Sequence, residues 1–207
     1  MVKLLRRKTK YNQERWKKLT EVNIVVGLSG VGKSTVIEEA MLLSDKEYKV
    51  INYGDRMVET AKEEGLVNSR DEMKNLDTQT YKRIQRDAAE SIVEDSQEEN
   101  VLVDTHAAIK SPYGYIPGLP KWTVENLEPS KIIILDASAE EIYARSTGDD
   151  DRDREHETVN DIEEYRNIAR EMAAAGSVLT GAYLKVIKNR DGRAEKAAEE
   201  LVKTLRN

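Results

Sequence analysis

Gly27, four intervening residues, then Gly32-Lys33-Ser34 set the spacing of a phosphate-gripping loop, GxxxxGK[ST], in the stretch GLSGVGKST. Glycines at those positions let the backbone turn so that successive N–H groups face an anion, and a helix beginning at Lys33 adds its N-terminal dipole. Gly27, Leu28, Ser29, Gly30, Val31, Gly32, Lys33, Ser34 and Thr35 are therefore the expected triphosphate cradle. Lys33 reaches the β- and γ-phosphates, and the Ser34 hydroxyl is a ligand for Mg²⁺. Asp104 ends the apolar run Val101-Leu102-Val103, and an acid at a carboxyl strand end can organise the same Mg²⁺, directly or through water.

Such a loop leaves the fate of the terminal phosphate open. A guanine-specific switch would carry an Asn-Lys-x-Asp type signature after a late strand, and the chain has DASAEEIYARS and NRDG there instead. Transfer to a bound acceptor needs cations that converge on the moving charge. The segment ARSTGDDDRDREHET offers Arg145, Arg152 and Arg154, the last two in a polar loop among six acids, with Thr158 as the start of a following helix. Arg70, Arg83 and Arg86 are further candidates for an acceptor's phosphate. His106 and His156 show no metal-ligand spacing, and neither is assigned a catalytic role.

Short apolar runs position these residues: Val22–Val26, 49–53, 101–103, 132–135 and 184–187. They are nearly continuous rather than alternating, as in strands covered on both faces. Helical patterns lie between them, at Lys33–Leu43, 83–93 and 194–205. The alternation predicts an α/β fold, a parallel sheet flanked by helices. The region 55–99 exceeds one crossover helix and breaks at Asn75-Leu76-Asp77-Thr78, where Asp77 or Thr78 caps a new helix. The expected organisation is one domain with two appendages.

Composition narrows the class. The 207 residues are 35% charged, with a net charge of −6 and no cysteine, so disulfides and thiolate metal sites are excluded. No apolar run approaches the ~18–20 residues that span a bilayer. The absence of an apolar leader segment makes a cytoplasmic protein the expectation. Residues 1–21 carry eight Lys/Arg against Glu14 and Glu21, leaving −12 on the rest. That arm is either a solvated terminus or a contact for nucleic acid or another anionic surface.

Successive blocks in this order resemble the archaeal adenylate kinases: GLSGVGKST, YGDRMVETAKEEGLV, SRDEMKNLDTQTYKRIQ, VDTHAAIKSPYGYIPGLP, RSTGDDDRDRE and VLTGAYLKVIKNRDG. The similarity runs from about residue 22 to 205, and DTHAAIKSPYGYIPGLP is its most specific block. The resemblance implies a P-loop three-layer fold with a five-stranded parallel sheet, an acceptor-nucleotide subdomain at about 54–99 and a lid at about 146–157. It implies reversible Mg²⁺-dependent transfer between ATP and AMP giving two ADP, and self-association as a homotrimer. By the same resemblance Lys33, Arg145, Arg152 and Arg154 are catalytic, Asn189 lies by the ATP adenine, and Gly54, Arg56, Arg70, Arg83 and His106 serve AMP. The segment GDRMV departs from the wider pattern, with Val58 where bacterial-type enzymes place an arginine, so the phosphate contact moves to Arg56, Arg70 or Arg83. The chain has no Phe, and Tyr53 and Tyr165 stand where apolar aromatics are expected.

The alternative is a P-loop ATPase or nucleic-acid-associated factor that uses the basic arm. Deleting residues 1–20 separates the two. A kinase keeps its turnover with AMP nearly unchanged, whereas the alternative shows hydrolysis without AMP that RNA or DNA stimulates and the deletion abolishes.

Overall fold

The computed structural model describes residues 20–111, 113–146 and 158–206. Strand β1 (Val22–Val26) leads through the glycine loop into helix α1 (Lys33–Leu43). Strand β2 (Lys49–Asn52), helix α2 (Tyr53–Glu63), a 3₁₀ turn (Arg70–Asn75) and helix α3 (Thr78–Asp95) follow. Strand β3 (Val101–Thr105) precedes a hairpin of β4 (Ala108–Ser111) and β5 (Gly114–Pro117), then helix α4 (Lys121–Leu127). Strand β6 (Lys131–Asp136), helices α5 (Ala139–Ser146) and α6 (Val159–Thr180), strand β7 (Tyr183–Lys188) and helix α7 (Ala194–Arg206) complete the chain.

The main sheet has the order β2-β3-β1-β6-β7, all parallel, as the α/β pattern predicts. Its three central strands are apolar on both faces because helices cover both, and Ile24, Val25, Leu102, Val103, Ile132 and Ile133 are fully buried. The register sets Val25 beside Asp104 and Val26 beside Thr105. The glycine loop and the acid therefore leave the sheet side by side at its carboxyl edge, with Asp136 ending β6 on the other flank.

One expected boundary shifts for a local reason. The second strand stops at Asn52, whose side chain accepts from the Asp55 N–H and so caps α2, and Tyr53 becomes the first helical residue. Helix α3 starts at Thr78, at the break expected there, and Asp77 is the cap: its carboxylate accepts from the N–H groups of Gln79 and Thr80. Thr158 caps α6 through a reciprocal box with Asp161, as its position suggested. The β4–β5 hairpin was not anticipated.

The two tyrosines also acquire a reason. Tyr53 is buried with its hydroxyl donating to the Gln85 carbonyl at 2.6 Å, and Tyr165 donates to the Ala108 carbonyl at 2.9 Å. Phe would fill either space and forfeit that hydrogen bond; the Gln85 carbonyl, inside α3, would keep its helical partner, so there the hydroxyl adds a second bond.

Candidate functional site

The glycine loop is held from outside by its carbonyls. Gly30 (φ 89°) and Gly32 (φ 82°) adopt the left-handed conformation that suits glycine. A Cβ on Gly32 would also meet Asn189 Nδ2 at 2.6 Å. Asn189 Nδ2 donates to Val31 O at 2.8 Å, and Arg145 Nη1 reaches Gly30 O and Val31 O at 3.4 and 3.3 Å. His106 Nδ1 lies 2.8 Å from Gly27 O, and because a carbonyl can only accept, that nitrogen carries the proton. Arg145 further pairs with Asp191 and donates to Asn189 O, so it ties the loop to the segment after β7.

Lys33 Nζ stands 3.6 Å from Asp104 Oδ1, and Asn52 Nδ2 donates to Asp104 Oδ2 at 3.2 Å. Asp104 Oδ1 is buried without a hydrogen bond. A buried carboxylate oxygen without a hydrogen bond, next to the phosphate-loop Lys33, together with an exposed Ser34 on that loop, suits a hard cation such as Mg²⁺, which binds through one or two protein oxygens plus phosphate and water. Among the described residues no group of three or more His, Asp or Glu forms a closed metal cage.

Beyond Asp104 and His106 the surface opens into a cavity of about 410 Å³ between α2, the 3₁₀ turn, α3 and the end of β3. Gly54, Arg70, Gln85 and Thr105 line it with those two residues. Arg70 approaches so closely that a Cβ on Gly54 would meet its Nη2 at 2.4 Å, and it pairs with Asp55 at 2.6 Å while remaining 63% exposed. Of the three arginines expected to compete for this role, Arg70 alone lines the cavity. Arg56 turns to Ser91 and Asp95 on α3, and Arg83 pairs with Glu64 and Asp87. Val58, in the place of the missing arginine, is part of the cavity wall. Arg152 and Arg154 lie outside the described residues, as does most of the lid and of the basic arm.

The sequence reading missed a charged cluster. Asp136, 3% exposed, accepts from Arg166 at 3.0 and 3.1 Å and also pairs with Arg170 and Lys188. Burial alone would raise its carboxyl, but hydrogen bonds from Arg166, Lys188 and Arg170 outweigh that and hold it at about 2. A small cleft beside it is lined by Gly27, Leu28, Arg166 and Arg170, so these cations stand next to the phosphate loop. A helical spacing of four between Arg166 and Arg170 was the available signal; an acid 30 residues upstream of Arg166 that collects them was not visible.

A family model described as an AAA domain matches residues 26–163. The adenylate kinase of Methanococcus vannielii is 45% identical over 89% of this chain and 98% of its own, and that of Methanocaldococcus jannaschii is 44% identical over 90% and 98%. The chain belongs to the adenylate kinases. It is thus a phosphotransferase of the nucleoside-monophosphate kinase class, on a P-loop kinase fold. Shikimate kinase from Acinetobacter baumannii shares that fold, with a TM-score of 0.53 at 15% identity over 92% of this chain and 96% of its own.

The Asp136 cluster makes the stability of this adenylate kinase acid-sensitive in a defined window. A carboxyl depressed on folding contributes fully above its unfolded value of about 4 and loses that contribution as pH falls toward about 2. Asp136→Asn leaves Arg166 buried without its counter-charge and is expected to cost about 3 kcal/mol or more at neutral pH. Urea denaturation as a function of pH checks both, with the variant losing less than the wild type on acidification.

Proposed function

We propose that this adenylate kinase transfers the terminal phosphoryl group of ATP reversibly to AMP, giving two ADP, with Mg²⁺ bound at Ser34 and Asp104. The supporting observation is that the loop and the cavity share a wall. Asp104 contacts Lys33 and lines the cavity, while His106 bonds Gly27 O and lines the cavity too. A nucleotide gripped by the loop and a second one in the cavity would meet end to end at that wall.

In this reading the loop N–H groups and Lys33 carry the β- and γ-phosphates of ATP. Arg70 neutralises the phosphate of AMP, with Gly54 leaving room for its guanidinium. When bound, Mg²⁺ neutralises charge on the phosphate oxygens. Arg152 and Arg154 are assigned to the charge that spreads over the transferring group, while Arg145, engaged with Gly30 O, Val31 O and Asp191, is assigned to bracing the phosphate loop, and closure of the lid excludes water that would otherwise take the phosphate. Asn189, fixed against Val31 O, is assigned to the side of the ATP base. Self-association as a trimer and a cytoplasmic residence belong to the same proposal. They rest on the resemblance, and among the described residues no helix is long and apolar enough to cross a membrane.

Phosphorus NMR of the protein with ATP, AMP and Mg²⁺ tests the reaction: ADP accumulates from the pair with no inorganic phosphate, and appearance of phosphate instead would show hydrolysis. Lys33→Ala should lose about 10²-fold or more in kcat, and Arg152→Ala and Arg154→Ala should show losses of similar kind. Arg70→Ala should raise KM for AMP about tenfold or more while KM for ATP stays near the wild-type value, since one charge-assisted contact is worth about 1.5–3 kcal/mol.

A further inference from the structure

Asn52 ends β2 beside Asp104. The parallel register pairs the two residues across the β2–β3 ladder, so their side chains leave the carboxyl edge of the sheet on the same face. The Asn52 amide is then engaged at both ends. Its Oδ1 accepts from the Asp55 N–H at 3.1 Å, capping α2, and its Nδ2 donates to Asp104 Oδ2 at 3.2 Å. A backbone N–H only donates and a carboxylate only accepts, so both partners fix the amide the same way round.

Each end of that amide leads toward one of the two nucleotide sites. On one side Asp55 holds Arg70 at 2.6 Å, and Gly54 lies between: a Cβ there would stand 3.3 Å from Asn52 Oδ1 and 2.4 Å from Arg70 Nη2. On the other side Asp104 has Oδ2 occupied by Asn52, while Oδ1, buried and without a hydrogen bond, stands 3.6 Å from Lys33 Nζ. The terminal torsion of an aspartate is broad, so what grips one oxygen decides where the other faces.

We propose that Asn52 is the positioning residue of Asp104. By holding Oδ2 it presents Oδ1 to a cation beside the phosphate loop, and by capping α2 with the same amide it ties that presentation to the helix that carries the acceptor side. The inference rests on the reading that Mg²⁺ binds at Asp104 and AMP in the cavity.

Calorimetric titration with ATP alone, once with Mg²⁺ and once with EDTA in its place, gives the factor by which the cation tightens binding. It is compared for the wild type, Asn52→Ser, Asp104→Asn and the double variant, with KM for AMP measured beside it. Ser caps a helix as well as Asn does, but its hydroxyl ends one bond short of Asp104. In Asn52→Ser the Mg²⁺ factor should fall about tenfold, as is usual when the group orienting a metal ligand is removed. ATP affinity in EDTA and KM for AMP should keep their wild-type values. Asp104→Asn should lose the factor altogether, and adding Asn52→Ser to it should change nothing further. Asn52→Ala, which removes the cap as well, should also raise KM for AMP about threefold or more. The factor compares two titrations of one protein, so an unfolded fraction does not alter it.

A wild-type factor in Asn52→Ser, with Asp104→Asn abolishing it, overturns the role of Asn52 alone. Equal loss of ATP affinity with and without Mg²⁺ overturns it too, by reducing Asn52 to a structural residue, and an unchanged KM for AMP in Asn52→Ala overturns the tie to α2. If the wild type shows no factor, or Asp104→Asn keeps it, the reading of Asp104 as the metal acid fails instead.

Discussion

Backbone amides can face a polyphosphate only if the carbonyls of the same loop are satisfied elsewhere. Here three elements do this. His106 from the end of β3 takes the Gly27 carbonyl, Asn189 from the end of β7 takes Val31, and Arg145 from α5 reaches Gly30 and Val31. With those oxygens held, the left-handed turns at Gly30 and Gly32 lead into the N-terminus of α1, whose dipole favours an anion. The loop is preorganised by its surroundings rather than by glycine alone; glycine permits the turn, and the captured carbonyls select it.

The same economy governs the cations. Positive side chains near a phosphate site repel one another before ligand arrives, and a buried acid is the cheapest way to hold them. Asp136 does so for Arg166, Arg170 and Lys188, and Asp104 does so for Lys33. The two acids differ in consequence. Asp136 has both oxygens occupied, which is why its carboxyl stays so far down. Asp104 keeps one buried oxygen without a hydrogen bond, a cost that a bound cation would relieve.

How much of this was legible beforehand follows from what each feature depends on. Gly27 to Ser34 is local chemistry, with spacing, strand and helix all contiguous, and the sheet follows from continuous apolar runs. The identity of the acceptor-side cation is not local. Arg56, Arg70 and Arg83 are equivalent as letters, and only the rotation of α2 and α3 sends Arg56 to Asp95 and Arg83 to Glu64 while leaving Arg70 against Gly54. The Asp136 cluster joins residues 30 to 52 positions apart, and Gln85 is held in the cavity wall by a tryptophan 37 residues later. Nothing in the periodicity of α3 distinguishes Gln85 from a surface glutamine.

The block DTHAAIKSPYGYIPGLP stood out in the sequence without a physical account, and its geometry supplies one. A Cβ at Gly118 would lie 1.9 Å from the His106 carbonyl, and Gly118 N–H donates to Ala107 O at 2.9 Å, so the β4–β5 hairpin folds back flush onto the residues that leave β3. That closure has two effects in opposite directions along the chain. Upstream it fixes His106, which braces the phosphate loop; downstream Leu119 is buried and Pro120 starts α4, which delivers Trp122 to Gln85. A single glycine contact thus sets the distance between the brace of one nucleotide site and the wall of the other. Any side chain there would have to push the hairpin off β3 and would disturb both sites together, which is why the run stays specific well beyond Asp104 and His106.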